Sequence, residues 1–343
     1  MTSNPYTIFE KAEKKREISR FLDAIPLYLE AKRLSASDRE LKSACYFSLG
    51  DTYRMVGEFS KAGRCYAEAH KLVEKLGDEV RSLDALVGLG LSMRAVGRVK
   101  DAIAIFNKTL KAYEKLGDRD GAAFTLWAKA GALRIKGELK AAIEGFKEAR
   151  EMFLALKDRS GAGYCLTGLG GASRVLGRYD DSHRYYTEAN RLFNRLGDTF
   201  GIAYSYCGIA NSLRMKGEFK KSLSYFKKAK QNYRKIGDRV SYAYTLWGEG
   251  SAYLMLGKDA LASSDFGEAI KLFRQTKDER GLVYCLLSIA QIEFRKDGRK
   301  GLKALDIAES KARKLGLSIE AGYAGEIRKK MEKSPLELPL NLA

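Results

Sequence analysis

An aspartate returns every forty residues along most of this chain, as Asp38, Asp78, Asp118, Asp158, Asp198, Asp238 and Asp278. A glycine keeps step with it, as Gly57, Gly97, Gly137, Gly177, Gly217 and Gly257. So strict a period constrains the fold more than composition does, because it marks one supersecondary unit copied and stacked. Residues 198–237 show the unit. Asp198 is placed to N-cap a first helix, its carboxylate accepting first-turn backbone N–H groups that lack partners. That helix is expected to run to about Lys216, where Gly217 opens a tight turn. A second helix then runs to about Ile236, and Gly237 supplies the left-handed residue that stops it. Asp238 begins the next unit.

Small and large apolar residues recur within the unit. Leu89/Gly90, Leu169/Gly170 and Ile209/Ala210 hold equivalent places in first helices. In second helices Ala62, Ala102, Ala142, Ser182, Ser222 and Ala262 precede Tyr66, Phe106, Phe146, Tyr186, Phe226 and Phe266. A further small residue follows: Ala69, Thr109, Ala149, Ala189, Ala229 and Ala269. Small residues let helix axes approach, and the aromatic ring fills the remaining groove. The pattern resembles the tetratricopeptide repeat, whose first helix carries an L-G pair and whose second carries A…F…A. It departs from the commonest form in its length of forty residues and in lacking a proline after the second helix. Forty-residue versions look like those of Pins/LGN-type polarity scaffolds and of bacterial regulatory arrays. The resemblance implies an all-α, right-handed α-solenoid of about eight helix-turn-helix repeats plus a C-terminal capping helix.

Domain organisation follows from the period. Residues 1–332 read as one solenoid, with repeats starting near residues 1, 38, 78, 118, 158, 198, 238 and 278. The first is degenerate. In the last, Asp297-Gly298 replaces the usual turn. Residues 318–332 would form a solitary helix covering the apolar face of a terminal repeat. Residues 333–343 form an apolar tail. No apolar run approaches the roughly 18 residues of a membrane span, and residues 1–20 are polar rather than signal-like, so a cytoplasmic protein is expected. Cys45, Cys165 and Cys285 share a repeat position with Ala85, Thr125, Ser205 and Thr245. Such a place wants a small side chain, not a disulfide or a metal ligand.

Function should reside in residues that stacking does not need. Along the first helix Tyr204, Cys207, Asn211 and Arg214 step by three or four residues and share one face. In tetratricopeptide arrays this face lines the concave groove, which the resemblance implies here. Two ladders then appear. Arginine recurs as Arg16, Arg54, Arg94, Arg134, Arg174 and Arg214, followed by Leu254 and Phe294. Lysine never replaces it, which points to a guanidinium that forks onto carboxylates or stacks on rings. Aromatics recur as Phe124, Tyr164, Tyr204, Tyr244 and Tyr284, with Trp127 and Trp247 one turn along. Each ladder also has an internal reading: the arginines could pair with acids of the array such as Asp51, and the rings could cover neighbouring repeats.

The chain carries 62 Lys and Arg against 43 Asp and Glu, a net charge of +19. Much of the excess lies on second helices, where Lys220, Lys221, Lys227, Lys228, Lys230, Arg234 and Lys235 crowd together. A run of this kind is ordinarily a solvated face. Its functional alternative is sequence-independent binding of RNA or DNA, since arginine at most rungs carries no base code. Catalysis finds little support. His70 and His183 have no companions at metal-ligand spacing, and the Gly-x-Gly pairs lie inside helices rather than after strands. No cofactor or metal is expected. The reading is a non-enzymatic scaffold holding an extended acidic segment of a protein partner, with a hydrophobic anchor at the apolar end of the groove. Inhibition of a signalling partner by the same groove is a further alternative.

The tail, Ser334-Pro-Leu-Glu-Leu-Pro-Leu-Asn-Leu-Ala343, places four leucines at alternate positions, as on an extended chain with one apolar edge. Either it folds back over residues 319–331, or it enters the apolar end of a groove, its own or a neighbour's. In the second case Glu337 would approach a basic rung, and the leucines would meet Trp247 or Phe294.

Overall fold

Each unit folds as two antiparallel helices, and the computed structural model describes residues 4–343. The expected start of the first repeat, near residue 1, lies outside the described residues. The chain opens with α1 (Pro5–Glu17), α2 (Phe21–Leu34), α3 (Arg39–Met55) and α4 (Phe59–Leu76). It continues through α5 (Glu79–Ala95), α6 (Val99–Leu116), α7 (Arg119–Lys136) and α8 (Leu139–Ala155). Next come α9 (Arg159–Val175), α10 (Tyr179–Leu196), α11 (Thr199–Met215) and α12 (Phe219–Ile236). The last are α13 (Arg239–Met255), α14 (Asp259–Thr276), α15 (Glu279–Lys296), α16 (Gly298–Lys314) and α17 (Ser318–Lys333). Among the described residues there is no strand, and no helix is long and apolar enough to cross a membrane.

The recurring residues account for these bounds. Asp198 accepts the Gly201 N–H at 2.8 Å, and Asp38, Asp78, Asp118, Asp158, Asp238 and Asp278 cap their helices in the same way. The turn glycines hold φ between +70° and +94°, a conformation that L side chains rarely adopt. Glycines inside first helices have another cause. The Tyr186 ring lies between Gly170 of its own unit and Gly208 of the next, and a methyl group on Gly170 would stand 2.8 Å from it. Tyr66 is held likewise between Gly50 and Gly88. The pairing of small residue and ring is thus the stacking contact itself.

Odd-numbered helices touch the next odd-numbered helix, from α1·α3 to α15·α17, and so form the inner row of the curve. The coil is tight enough for successive turns to meet. Arg239, at the start of α13, donates to Glu58 at 2.5 Å across 181 residues, between four and five units. Beside this pair Val240 packs near Gly57, and Leu22 near Gly237. Farther on, Ser318 Oγ donates to the Lys136 carbonyl at 3.0 Å across 182 residues. Two contacts at nearly one offset describe a superhelical pitch. The inner helices therefore wall a lumen, and the concave face is more enclosed than an open groove.

Candidate functional site

The arginine ladder runs down this inner wall, and its rungs differ in how they are satisfied. Arg16 pairs with Glu13 at 2.5 Å, and Arg54 lies 3.6 Å from Asp51. These two rungs follow the internal reading. Arg94 donates to the Ala128 carbonyl at 3.2 Å and sits 5.9 Å over the Trp127 ring. Arg174 keeps its Nε and Nη1 buried without a hydrogen-bond partner. Among the described residues, none of Arg94, Arg134, Arg174 and Arg214 forms an ion pair. They act instead on one another. Burial, and then Arg134 and Arg54, push the Arg94 guanidinium down to about 10. Burial, and then Arg174, push Arg214 down to about 9. Both stay charged at neutral pH, so the lumen holds like charges that are met from within by rings and amide dipoles and by no carboxylate.

The aromatic ladder is divided in the same way. Tyr164 donates to Asp198 at 2.8 Å and Tyr244 to Asp278 at 3.1 Å. Each hydroxyl thus reaches the capping aspartate of the following unit, as Tyr6 does to Asp38, and these rungs tie repeats together. Phe124 is 39% exposed and lies 5.4 Å from Trp127, leaving an apolar surface in the N-terminal half. Half-buried Tyr204 stacks on Phe200 at 6.3 Å. Trp247 is buried and donates from Nε1 to Ser288 at 3.1 Å, with Tyr284 4.6 Å away. Leu254 is buried in the same cluster.

At the C-terminal end the lumen is filled by the tail. Arg214 is 0% exposed although no carboxylate faces it. Its guanidinium lies 5.2 Å over Trp247, donates to Asn211 Oδ1 at 3.1 Å and to the Leu342 carbonyl at 2.8 Å, and also reaches Asn341 Oδ1. Leu338 and Leu342 join the cluster of Trp247, Tyr284, Ile327 and Met331, with Phe294 at its edge. The two expected positions of the tail are therefore one, between α17 and the inner wall. Two details differ from expectation. Glu337 pairs with Lys330 of α17 and not with a rung. Leu336 is fully exposed because Pro335–Glu337 is a turn of 3₁₀-helix, which breaks the alternation there.

Two features escaped the reading of the sequence, and one lysine departed from it. Gln291 and Tyr323 both bond the tail, and Gln291 stands eighty residues after Asn211, so the period itself could have singled it out. Arg280 pairs with wholly buried Glu320 of α17 at 2.7 Å, a bond between elements forty residues apart that no repeat pattern contains. The lysine run on α12 is the solvated face that such a run ordinarily makes, with Lys220, Lys221, Lys227, Lys228 and Lys235 exposed. Lys230 instead turns inward to buried Glu249.

An α-solenoid with a cation-lined inner wall is the class that these elements define. Residues 81–155 and 201–275 match the family described as tetratricopeptide repeat, so the chain carries tetratricopeptide repeats. The search of curated proteins found no match. Solved structures share the fold at low identity. The crystal structure of a Rap protein complexed with Competence and Sporulation Factor has a TM-score of 0.66 at 13% identity, covering 97% of this chain and 99% of that one. The Rap conjugation gene regulator of the plasmid pLS20, in complex with the Phr* peptide, has 0.58 at 14%, covering 99% and 100%. Aspartyl phosphate phosphatase F from Bacillus subtilis has 0.54 at 14%, covering 97% and 91%. At these identities the likeness is one of fold, and it does not bear on the Pins/LGN-type scaffolds that the repeat length also suggested.

Proposed function

We propose that the chain is a non-enzymatic adaptor whose lumen holds an extended peptide segment of a protein partner, with acidic side chains of that segment on Arg94, Arg134 and Arg174. The carrying observation is that these guanidiniums share one wall with no carboxylate paired to them. Helices pack about 8–10 Å apart, and an extended chain advances about 3.3 Å per residue. Ligand carboxylates recurring near every third residue would therefore meet successive rungs. Phe124 and Trp127 offer apolar surface beside them. Two of the similar structures hold a factor or peptide by their descriptions, and one is described as a gene regulator, which supports peptide binding coupled to control of a partner.

The test is fluorescence anisotropy with a labelled extended peptide bearing Glu at every third position, against wild type and the Arg94→Met/Arg134→Met/Arg174→Met variant. Saturable binding that weakens at least tenfold in the variant, with helical circular dichroism unchanged, supports the reading. Equal binding by both proteins rejects it. Should the purified chain carry excess ultraviolet absorbance that high salt removes, and the acidic peptide not bind, the outer lysines make it a nucleic-acid binder instead.

A further inference from the structure

The tail is held as a peptide is held by a receptor. From Leu340 onward its main chain bonds side chains of the inner wall, not a neighbouring strand. Gln291, 0% exposed, both donates to the Leu340 carbonyl at 3.4 Å and accepts the Leu340 N–H at 2.5 Å. This amide clamp reads extended backbone whatever the side chain. Tyr323 and Tyr284 donate to the Ala343 carbonyl at 3.2 and 3.5 Å. Selectivity comes from Asn341, whose Nδ2 donates to the Arg214 carbonyl at 3.0 Å while its Oδ1 meets the Arg214 guanidinium. No shorter or charged side chain offers a donor and an acceptor in that spacing. Leu338 and Leu342 fill apolar depressions on either side.

The linkage to the solenoid is slight by comparison. Ser334 and the Pro335–Glu337 turn join the tail to α17, with Leu336 in solvent and one surface ion pair to Lys330. Surface pairs of this kind contribute about 0–1 kcal/mol. Without the tail, buried Arg214 would keep only Asn211 and the Trp247 ring, Gln291 only the Leu287 carbonyl, and the cluster around Trp247 would open to water.

We infer that residues 338–343 are a resident ligand in a second peptide-reading site. Its partner segment carries the same pattern: an extended Leu-x-Leu-Asn-Leu followed by a small residue, which displaces the tail. This rests on the reading that the lumen binds extended peptides, but it assigns different residues and a segment, 338–343, without acidic side chains. The site adjoins the arginine rungs, since Arg174 and Arg214 stand at equivalent positions of the contacting helices α9 and α11. One partner chain could engage both once the tail has left.

A specific protease site inserted between Lys333 and Ser334 lets the tail be severed from the folded full-length chain. The probe is a fluorescein-labelled peptide of residues 334–343. Severed protein should take up the probe saturably, by exchange or after the tail departs, and uncut protein at least tenfold more weakly. Gln291→Ala should weaken uptake at least tenfold, and a scrambled peptide should not bind. In the uncut chain, Asn341→Ala should admit the probe with helical content unchanged. If severed protein binds no probe, or unfolds on cutting, the tail is part of the core and the inference falls. The acidic peptide tested above reports on Arg94, Arg134 and Arg174 only. Its failure beside successful probe binding would reject the acidic ligand and leave this site standing.

Discussion

Two arginines of the inner wall should respond differently to the same substitution. Arg280 donates from Nε to Glu320 at 2.7 Å, and Glu320 is wholly buried, so Arg280→Met leaves a carboxylate sealed from water without its cation. Breaking a buried pair on one side costs about 3–5 kcal/mol. The lost bond to Tyr284 at 3.2 Å adds to this. Arg174 has no such partner, and its Nε and Nη1 are buried without a hydrogen bond. Each unpartnered polar group costs roughly 1–3 kcal/mol when fully desolvated. Arg174 is only half-buried beside the lumen, which reduces the gain from Arg174→Met to about 1 kcal/mol; methionine keeps most of the stem packing. Urea denaturation followed by helical circular dichroism measures both. The midpoint should fall strongly for Arg280→Met and hold or rise slightly for Arg174→Met, while the acidic peptide is lost only from the latter. If Arg174→Met destabilised as much as Arg280→Met, the ladder would be a structural device and the binding argument would fail.

Three other outcomes follow from the geometry. Gly208→Ala should cost about 1–3 kcal/mol in the same denaturation, because the added methyl collides with the buried Tyr186 ring between repeats. Tyr164→Phe should cost about 1 kcal/mol by removing the hydroxyl's bond to Asp198, whereas Tyr204→Phe, whose hydroxyl makes no such bond, should be neutral in thermal melts. Asp265 is pushed up to about 7, chiefly by burial and then by Glu249, with Lys230 the facing cation and Glu268 a further acid. A carboxyl whose folded value exceeds its unfolded one binds more protons when folded, so its contribution to stability falls as pH rises from about 4 to 7. Asp265→Asn should therefore gain about 1–2 kcal/mol at pH 8, after discounting for solvent screening, and nothing below pH 4.

The sequence by itself determined the repeat, its two helices and the direction of their faces. Those features are local and copied: an aspartate capping its own helix, a glycine allowing its own turn, a ring meeting a small residue at a constant offset. It also showed that arginine rather than lysine was wanted at one position of the inner helix. It could not say which arginines were answered from within, because Glu13 and Asp51 lie one turn away from Arg16 and Arg54 just as other side chains do from Arg134. Nor could it foresee that Tyr164 and Tyr244 would be occupied by the next unit's caps.

What only the tertiary structure decided lies between segments that the period does not relate. The pitch of the superhelix depends on small rotations summed over several units, and it brings Arg239 to Glu58 and Ser318 to Lys136. That closure turns a groove into a lumen. The tail's place was open for the same reason: alternation announced an apolar edge in need of burial, but its site required Arg214, Asn211, Gln291, Trp247 and Tyr323 to be brought together from four helices. Contacts within one unit are repeated and hence legible; contacts made once, across the turns of the coil, are set by the summed geometry of all the units.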